Sequence, residues 1–243
     1  MTKIYGLLGR DIGYSFSRGF FSEKFEKEHL DCSYQNFDLK QIEDLKDVLT
    51  SSNISGLNVT IPYKEDVISY LDELDPVAKN IGAVNVIRFD NDKLIGYNSD
   101  YYGFTESLKP LLHSNIKKAL ILGTGGASKA IAYSLSQLDI SYTFVSRNPD
   151  FNEMSYNQLD EDIIREFKLI VNCTPLGTHP NVDNYPNIPY EYITKDHVLF
   201  DLIYNPSETV FLKKGKEKGA QTANGLQMLI FQAQKAWEIW NSL

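Results

Sequence analysis

The chain has 243 residues, enough for one large domain or two small ones with real hydrophobic cores. Apolar residues make up 42% and charged residues 23%, the balance of a globular chain rather than a disordered one. A formal net charge of −8 argues against a nucleic-acid groove, and no apolar run approaches the ~20 residues that cross a bilayer, so neither nucleic acid nor membrane is an expected partner.

The opening stretch, Met1 to Gly9, is too short and too soon broken by glycine for a signal peptide, and it predicts a first strand over 4–8. Next comes Gly13-Tyr14-Ser15-Phe16-Ser17-Arg18, with two hydroxyls one residue apart between aromatic side chains. A helix is predicted over 18–29, so Ser17 suits its N-cap and the second hydroxyl needs another reason. Further strands are expected at 34–38, 56–60, 85–90 and 93–97, the last two forming a hairpin about Asp90-Asn91-Asp92. Helical stretches fall at 41–51, 62–71 and 76–81, followed by a longer helix at 100–113. An apolar strand, 118–122, then runs into Gly123-Thr124-Gly125-Gly126-Ala127-Ser128 and a helix over 129–135. Strands follow at 141–145, 168–172 and 197–203, and an amphipathic helix over 225–241 carries Leu229, Ala233, Trp237 and Trp240 on one face. Alternating strands and helices predict an α/β protein whose second half is a dinucleotide-binding domain.

The glycine loop is a variant of G-x-G-x-x-G/A with Ser128 in the last position. Its glycines permit the tight turn and let backbone amides approach a pyrophosphate at a helix N-terminus. An NAD-binding domain usually ends its second strand on an acid that holds the ribose 2′-hydroxyl. Here the chain reads Ser146-Arg147-Asn148. A guanidinium fork suits a 2′-phosphate, so NADP is the expected cofactor, the alternative being a solvated surface arginine.

The first half carries polar residues in apolar settings: Asn58, Thr60 and Lys64 about a strand end, Asn85 inside an apolar run, and Asp100 after Asn98-Ser99. Burial without partners costs a few kcal/mol for each such group. Mutual pairing and helix capping by Thr60 or Asp100 would explain one or two, but five with a lysine among them point to a site. An ammonium beside Asp100 can hold a substrate carbonyl or hydroxyl and move its proton, with the protonation state of Lys64 left open. Cys32 and Cys173 form no C-x-x-C pair, and His29, His113, His179 and His197 are scattered, so a metal-free cytoplasmic protein is expected.

Eight ordered motifs, spread over essentially the full chain, resemble those of the shikimate dehydrogenase family. They are the serine pair Ser15 and Ser17, Asn58-Val59-Thr60-x-Pro62-x-Lys64, Gly82-Ala83-Val84-Asn85, Gly96-x-Asn98-Ser99-Asp100-x-x-Gly103, the glycine loop, Asn172-x-Thr174-Pro175-x-Gly177, Asp201-x-x-Tyr204-x-Pro206, and Gly225-x-x-Met228-Leu229-x-x-Gln232-Ala233. The resemblance implies NADPH-dependent reduction of 3-dehydroshikimate to shikimate, by a monomer or homodimer. It also implies a split substrate domain with a mixed sheet (1–103 with 226–243), a Rossmann-like NADP domain (104–225) and a cleft between them. Carried over by motif, Lys64 and Asp100 are the catalytic pair, and Ser15 and Ser17 bind the substrate carboxylate. Asn58, Thr60, Asn85, Tyr204 and Gln232 serve the rest of the substrate. Gly123, Gly125, Gly126, Ala127, Ser128, Ser146, Arg147 and Asn148 serve the cofactor, with Thr174, Leu202, Ile203 and Gly225 near its nicotinamide end.

If the serine segment is extended or turning, residues i and i+2 point the same way, so both hydroxyls can meet one carboxylate. Several positions depart from the family pattern. Arg18 stands where proline is common and is expected to raise the positive potential there or to strengthen substrate capture. Tyr14 and Phe20-Phe21 replace histidine and His-Asn, Ser99 replaces threonine, and Phe151 falls where a second arginine is usual. The nearest rival is a quinate/shikimate dehydrogenase, which would accept a further ring hydroxyl and use NAD or NADP. A noncatalytic NADP- or metabolite-binding regulator would have no need to keep both Lys64 and Asp100.

Overall fold

The computed structural model describes residues 2–13, 15–50, 53–91 and 93–242. Tyr14, Ser51 at the end of one predicted helix, and Asp92 in the predicted hairpin turn lie outside them. The chain divides into two compact units, Met1–Tyr102 with Leu229–Leu243, and Gly103–Met228.

The first unit contains β1 (Lys3–Gly9), α1 (Phe16–Lys27), β2 (Cys32–Asp38), α2 (Leu45–Leu49), β3 (Ile54–Val59), β4 (Glu73–Leu74), α3 (Pro76–Ile81), β5 (Val86–Asp90) and β6 (Lys93–Tyr97). Its sheet is mixed, in the order β2-β1-β3-β5-β6-β4. Strands β2, β1 and β3 run parallel, and β5 runs antiparallel to both β3 and β6. Alternate side chains of β1 point to opposite faces of the sheet. Tyr5 and Leu7 join Phe21, Phe25 and Trp240 in one core, while Leu8 joins Leu57, Val59, Val67 and Val84 in the other. Indole Nε1 of Trp240 donates to the Ile87 carbonyl at 3.0 Å, which anchors the returning C-terminal helix on this sheet.

The chain leaves this unit along α4 (Asp100–Leu108). The second unit contains β7 (Lys118–Leu122), α5 (Gly126–Gln137), β8 (Ser141–Ser146), β9 (Met154–Ser155), α6 (Glu161–Glu166), β10 (Leu169–Asn172), β11 (Val198–Asp201), α7 (Val210–Glu217) and β12 (Gln221–Ala223), and α8 (Leu226–Asn241) carries the chain back. All of its strands run parallel, in the order β12-β11-β10-β7-β8-β9. Both faces are covered, one by a core that includes Ile131, Leu135 and Phe200, the other by Leu159, Ile164 and Phe211 with inward residues of the strands. Strand order reverses between β7 and β10, so the carboxyl ends of these two strands form a topological switch point.

Three expectations need correction. Residues 62–71 form no α-helix: a turn leads into one 3-10 segment, Asp66–Tyr70. The reason is competition for a carbonyl, because Lys64 O is taken by Val84 N at 2.7 Å and Ile68 N therefore bonds Glu65 O instead. Stretch 41–51 divides into a 3-10 turn and the five-residue α2. Helix α4 stops at Leu108, where a 3-10 turn containing Pro110 takes over. Elements α6, α7, β4, β9 and β12 were not expected. Strand β12 is three residues long with no apolar run, whereas α7 had a usable signal in Thr209, whose side chain caps it by accepting from Leu212 N.

Candidate functional site

In the first unit the predicted polar residues converge. Lys64 sits in the turn after β3 and Asp100 opens α4; Lys64 Nζ meets Asp100 Oδ2 at 2.6 Å, with the lysine side chain 13% exposed and the aspartate 2%. Asn85 Nδ2 donates to the other carboxylate oxygen, Asp100 Oδ1, at 2.9 Å and to Ser99 Oγ at 3.0 Å, while its Oδ1 accepts Ser99 N at 2.6 Å. Asn98 Oδ1 accepts Asp100 N at 3.0 Å and its Nδ2 donates to Ala83 O at 2.9 Å, so Asn98 rather than Asp100 caps α4. Both carboxylate oxygens are thus engaged from the protein side, and the slightly exposed lysine is the member of the pair that reaches outward. Removing either partner would leave a poorly solvated charge.

A residue absent from the sequence reading extends this network. Buried Tyr34, on β2, donates from its hydroxyl to Asn58 Oδ1 at 2.8 Å, and Asn58 Nδ2 donates to the Asn85 carbonyl at 3.4 Å. Burial pushes the Tyr34 phenol upward, while a hydrogen bond with Ser17 pulls it the other way. Ser17 is therefore joined through Tyr34 and Asn58 to the segment that carries the Lys64–Asp100 pair. A lone tyrosine at a strand start carries no signal; only the fold brings its hydroxyl between two other elements.

The serine pair lies at the start of α1. Ser15 is the N-cap of α1 and accepts Arg18 N at 3.2 Å; Ser17 lies within the helix's first turn. The two serines therefore do not share one extended segment. Proline at position 18 could not make this capping bond, because it has no N–H. Accepting from Arg18 leaves the Ser15 hydroxyl hydrogen free to donate. Arg18 itself is exposed. Thr60 and Gln232 are half-buried, on the turn after β3 and on α8, and among the described residues no side-chain hydrogen bond joins them to the network.

In the second unit, Gly123 leaves β7 with φ +100°, a left-handed value that favours glycine, and a Cβ there would sit 3.1 Å from the Thr174 methyl. Gly125 is the N-cap of α5 and offers no side-chain cap to its first amides. Space beside Gly125 is open, with nothing within 4 Å of an added Cβ. An uncapped helix start in open space at a switch point fits a dinucleotide pyrophosphate. Gly126 and Ala127 form the first turn, whereas Ser128 is buried and its hydroxyl turns back to Gly125 O at 2.6 Å. At the end of β8, Ser146 Oγ and Asn148 N are 3.2 Å apart, and Arg147 is exposed and makes no salt bridge among the described residues. Phe151 is fully exposed.

Thr174, Leu202, Ile203 and Gly225 come together through two further buried residues, Asn172 and Asp201. Asn172 Oδ1 accepts Thr174 N at 3.0 Å and Thr174 Oγ1 at 2.7 Å. Asp201 Oδ1 accepts Asn172 Nδ2 at 3.0 Å and Ile203 N at 3.1 Å, and Oδ2 accepts Thr209 Oγ1 at 2.6 Å. Gly225 N donates to Ile203 O at 3.0 Å, and an added Cβ there would lie 2.0 Å from Leu202 O. Tyr204 follows, half-buried, and burial raises its phenol.

A parallel sheet with a glycine turn at its switch point in one unit, and a lysine–carboxylate pair held in a polar network in the other, define a two-domain Rossmann-type oxidoreductase. The sequence model of the shikimate dehydrogenase substrate binding domain matches residues 7–87. A shikimate dehydrogenase (NADP(+)) of Methanococcus maripaludis is 40% identical over 264 residues, spanning 100% of this chain and 92% of that protein. The crystal structure of the Aquifex aeolicus shikimate dehydrogenase superposes with a TM-score of 0.89 at 36% identity, covering 99% of this chain and 92% of that one. The shikimate 5-dehydrogenase of Thermus thermophilus, solved in complex with NADP(H) and shikimate, gives 0.87 at 31% identity, covering 99% and 94%. The chain belongs to the shikimate dehydrogenase family.

Proposed function

We infer that this protein is an NADP-dependent shikimate dehydrogenase that reversibly reduces 3-dehydroshikimate to shikimate, a step toward chorismate and the aromatic amino acids. The observation that carries the reading is the Lys64–Asp100 pair at 2.6 Å, held by Asn85 at the edge of the first unit's polar network. NADPH supplies the hydride; the chain supplies binding, orientation and the proton. In the reduction, Lys64 Nζ gives a proton to the carbonyl oxygen as it becomes a hydroxyl, and in the oxidation it takes one back. Asp100 fixes the ammonium, and Asn85 fixes Asp100.

Ser15 and Ser17 receive the substrate carboxylate, while Asn58, Thr60, Asn85, Tyr204 and Gln232 meet its hydroxyls and ring. A site that hydrogen-bonds several hydroxyls rejects analogues lacking them, since its own groups would be left unpaired. The first unit thus carries the substrate and the second the cofactor. Its pyrophosphate would rest on Gly123, Gly125, Gly126 and Ala127, its 2′-phosphate on Ser146, Arg147 and Asn148, and its nicotinamide end on Thr174, Leu202, Ile203 and Gly225. With this function go a cytoplasmic location and a monomeric or homodimeric state. The deciding experiment follows absorbance at about 340 nm with shikimate or quinate and NADP or NAD, in all four pairings. Shikimate with NADP should give the highest kcat/KM, and Lys64→Ala should lower its kcat by ~10²–10⁴-fold. A higher value with quinate, or a Lys64→Ala enzyme of near-normal kcat, would refute the assignment.

A further inference from the structure

Asn172 and Asp201 end adjacent central strands, and neither has a role in the chemistry above. Each is fully buried. In this position they tie loops rather than pack a core. The Asn172 carboxamide accepts both the amide and the hydroxyl of Thr174 on one side and donates to Asp201 on the other. Asp201 in turn accepts the Ile203 amide, and the Ile203 carbonyl accepts the Gly225 amide at 3.0 Å. One continuous chain of bonds therefore runs through Thr174, Asn172, Asp201, Ile203 and Gly225, across the turns after β10, β11 and β12. The second oxygen of Asp201 takes the hydroxyl of Thr209, whose side chain caps α7, so the chain is also anchored to a helix. Desolvation raises the Asp201 carboxyl to about 6 in spite of these three donors, so the charge is held at a cost that packing alone would not require.

We propose that Asp201 and Asn172 are positioning residues for cofactor binding: they lock three separate turns into the one surface that receives the nicotinamide end of NADP(H). The proposal rests on the dehydrogenase reading, because it takes Thr174, Ile203 and Gly225 to face the cofactor. It separates geometry from charge. Asparagine at 201 can still accept from Asn172 and Ile203 and can donate to Thr209, whereas alanine can do none of these.

The test is NADPH binding to the enzyme without substrate, read by the change in cofactor fluorescence, together with initial rates for the same proteins. Asp201→Ala should raise the Kd for NADPH about tenfold or more, as expected when two or more ordering bonds are lost. Its KM for shikimate should stay within about threefold of the unmodified enzyme, and Asp201→Asn should keep near-normal Kd. Where Asp201→Ala does not fold, Asn172→Ser, too short to span Thr174 and Asp201, should show the same selective loss. A folded Asp201→Ala or Asn172→Ser protein with unchanged Kd for NADPH would overturn the proposal. So would an Asp201→Asn protein as impaired as Asp201→Ala, or a shikimate KM that rises in parallel. If the unmodified protein fails to turn over shikimate with NADP, the dehydrogenase reading falls instead. An active enzyme with insensitive variants defeats only the positioning role.

Discussion

Replacing Asp201 by asparagine should make the folded protein more stable at neutral pH and leave its stability nearly unchanged in acid. The folded carboxyl lies at about 6 against an ordinary 3.8, with desolvation as the main cause. A group whose folded value is raised binds its proton more readily in the folded state. The ionised carboxylate therefore opposes folding above about pH 6, opposes it progressively less between about pH 6 and 4, and has no such effect below that. At ~1.4 kcal/mol for each pH unit of displacement, the full effect is about 3 kcal/mol. Asparagine removes that charge, keeps the two bonds accepted at Oδ1 and donates to Thr209, as the protonated carboxyl does. A net gain of about 3 kcal/mol is expected at pH 7.5, falling to about zero near pH 4. Urea denaturation of both proteins at the two pH values measures this directly. Circular dichroism is the appropriate probe, because Trp237 and Trp240 both belong to the first unit and would not report on the second. A variant that is less stable at pH 7.5, or equally stabilised at both pH values, would refute the desolvation argument.

Tyr34→Phe keeps the ring stacked on Phe21 at 4.9 Å but removes the hydroxyl between Ser17 and Asn58. The KM for shikimate should rise about five- to tenfold, the weight of one ordering bond, with the KM for NADPH unchanged; equal KM values for shikimate would remove Tyr34 from the site. Arg147→Ala should lower the ratio of kcat/KM for NADPH over NADH by ten-fold or more (about 1.4 kcal/mol), and an unchanged ratio would return Arg147 to the role of a solvated side chain. His197 is fully buried, with Nδ1 accepting Thr194 N at 3.0 Å and Nε2 facing the Ile164 carbonyl at 2.8 Å, which defines a neutral Nε2–H ring. Burial lowers its pKa, so its contribution to stability is complete above about pH 6.5 and is lost as the pH falls below that. An NMR titration of the ring should show a midpoint below 6.5, and a midpoint at or above that value would contradict the assignment.

Periodicity and turn chemistry alone determined most of the elements that position the site. The apolar run ending in Leu122 and the glycines after it could hardly form anything but a strand and a helix start, because each residue's local preference agrees with the next. The hairpin arm of β6 and the short helix α3, with Pro76 behind a capping Asp75, were legible for the same reason. Asn58, Lys64, Asn85 and Asp100 were recognisable as misplaced polarity. Tertiary structure alone decided what each polar group meets. Lys64 lies in a turn rather than a helix because an amide twenty residues later claims its carbonyl. Ser15, rather than Ser17, caps α1 because the helix starts two residues earlier than its apolar pattern suggests. Tyr34 became visible only when strand order set its side chain against other elements, and Asn172 and Asp201, which stood in the sequence as the first residues of two motifs, gained their partners only there. A hydrogen bond depends on where two atoms lie to within a fraction of an ångström, whereas periodicity specifies only which way a side chain points.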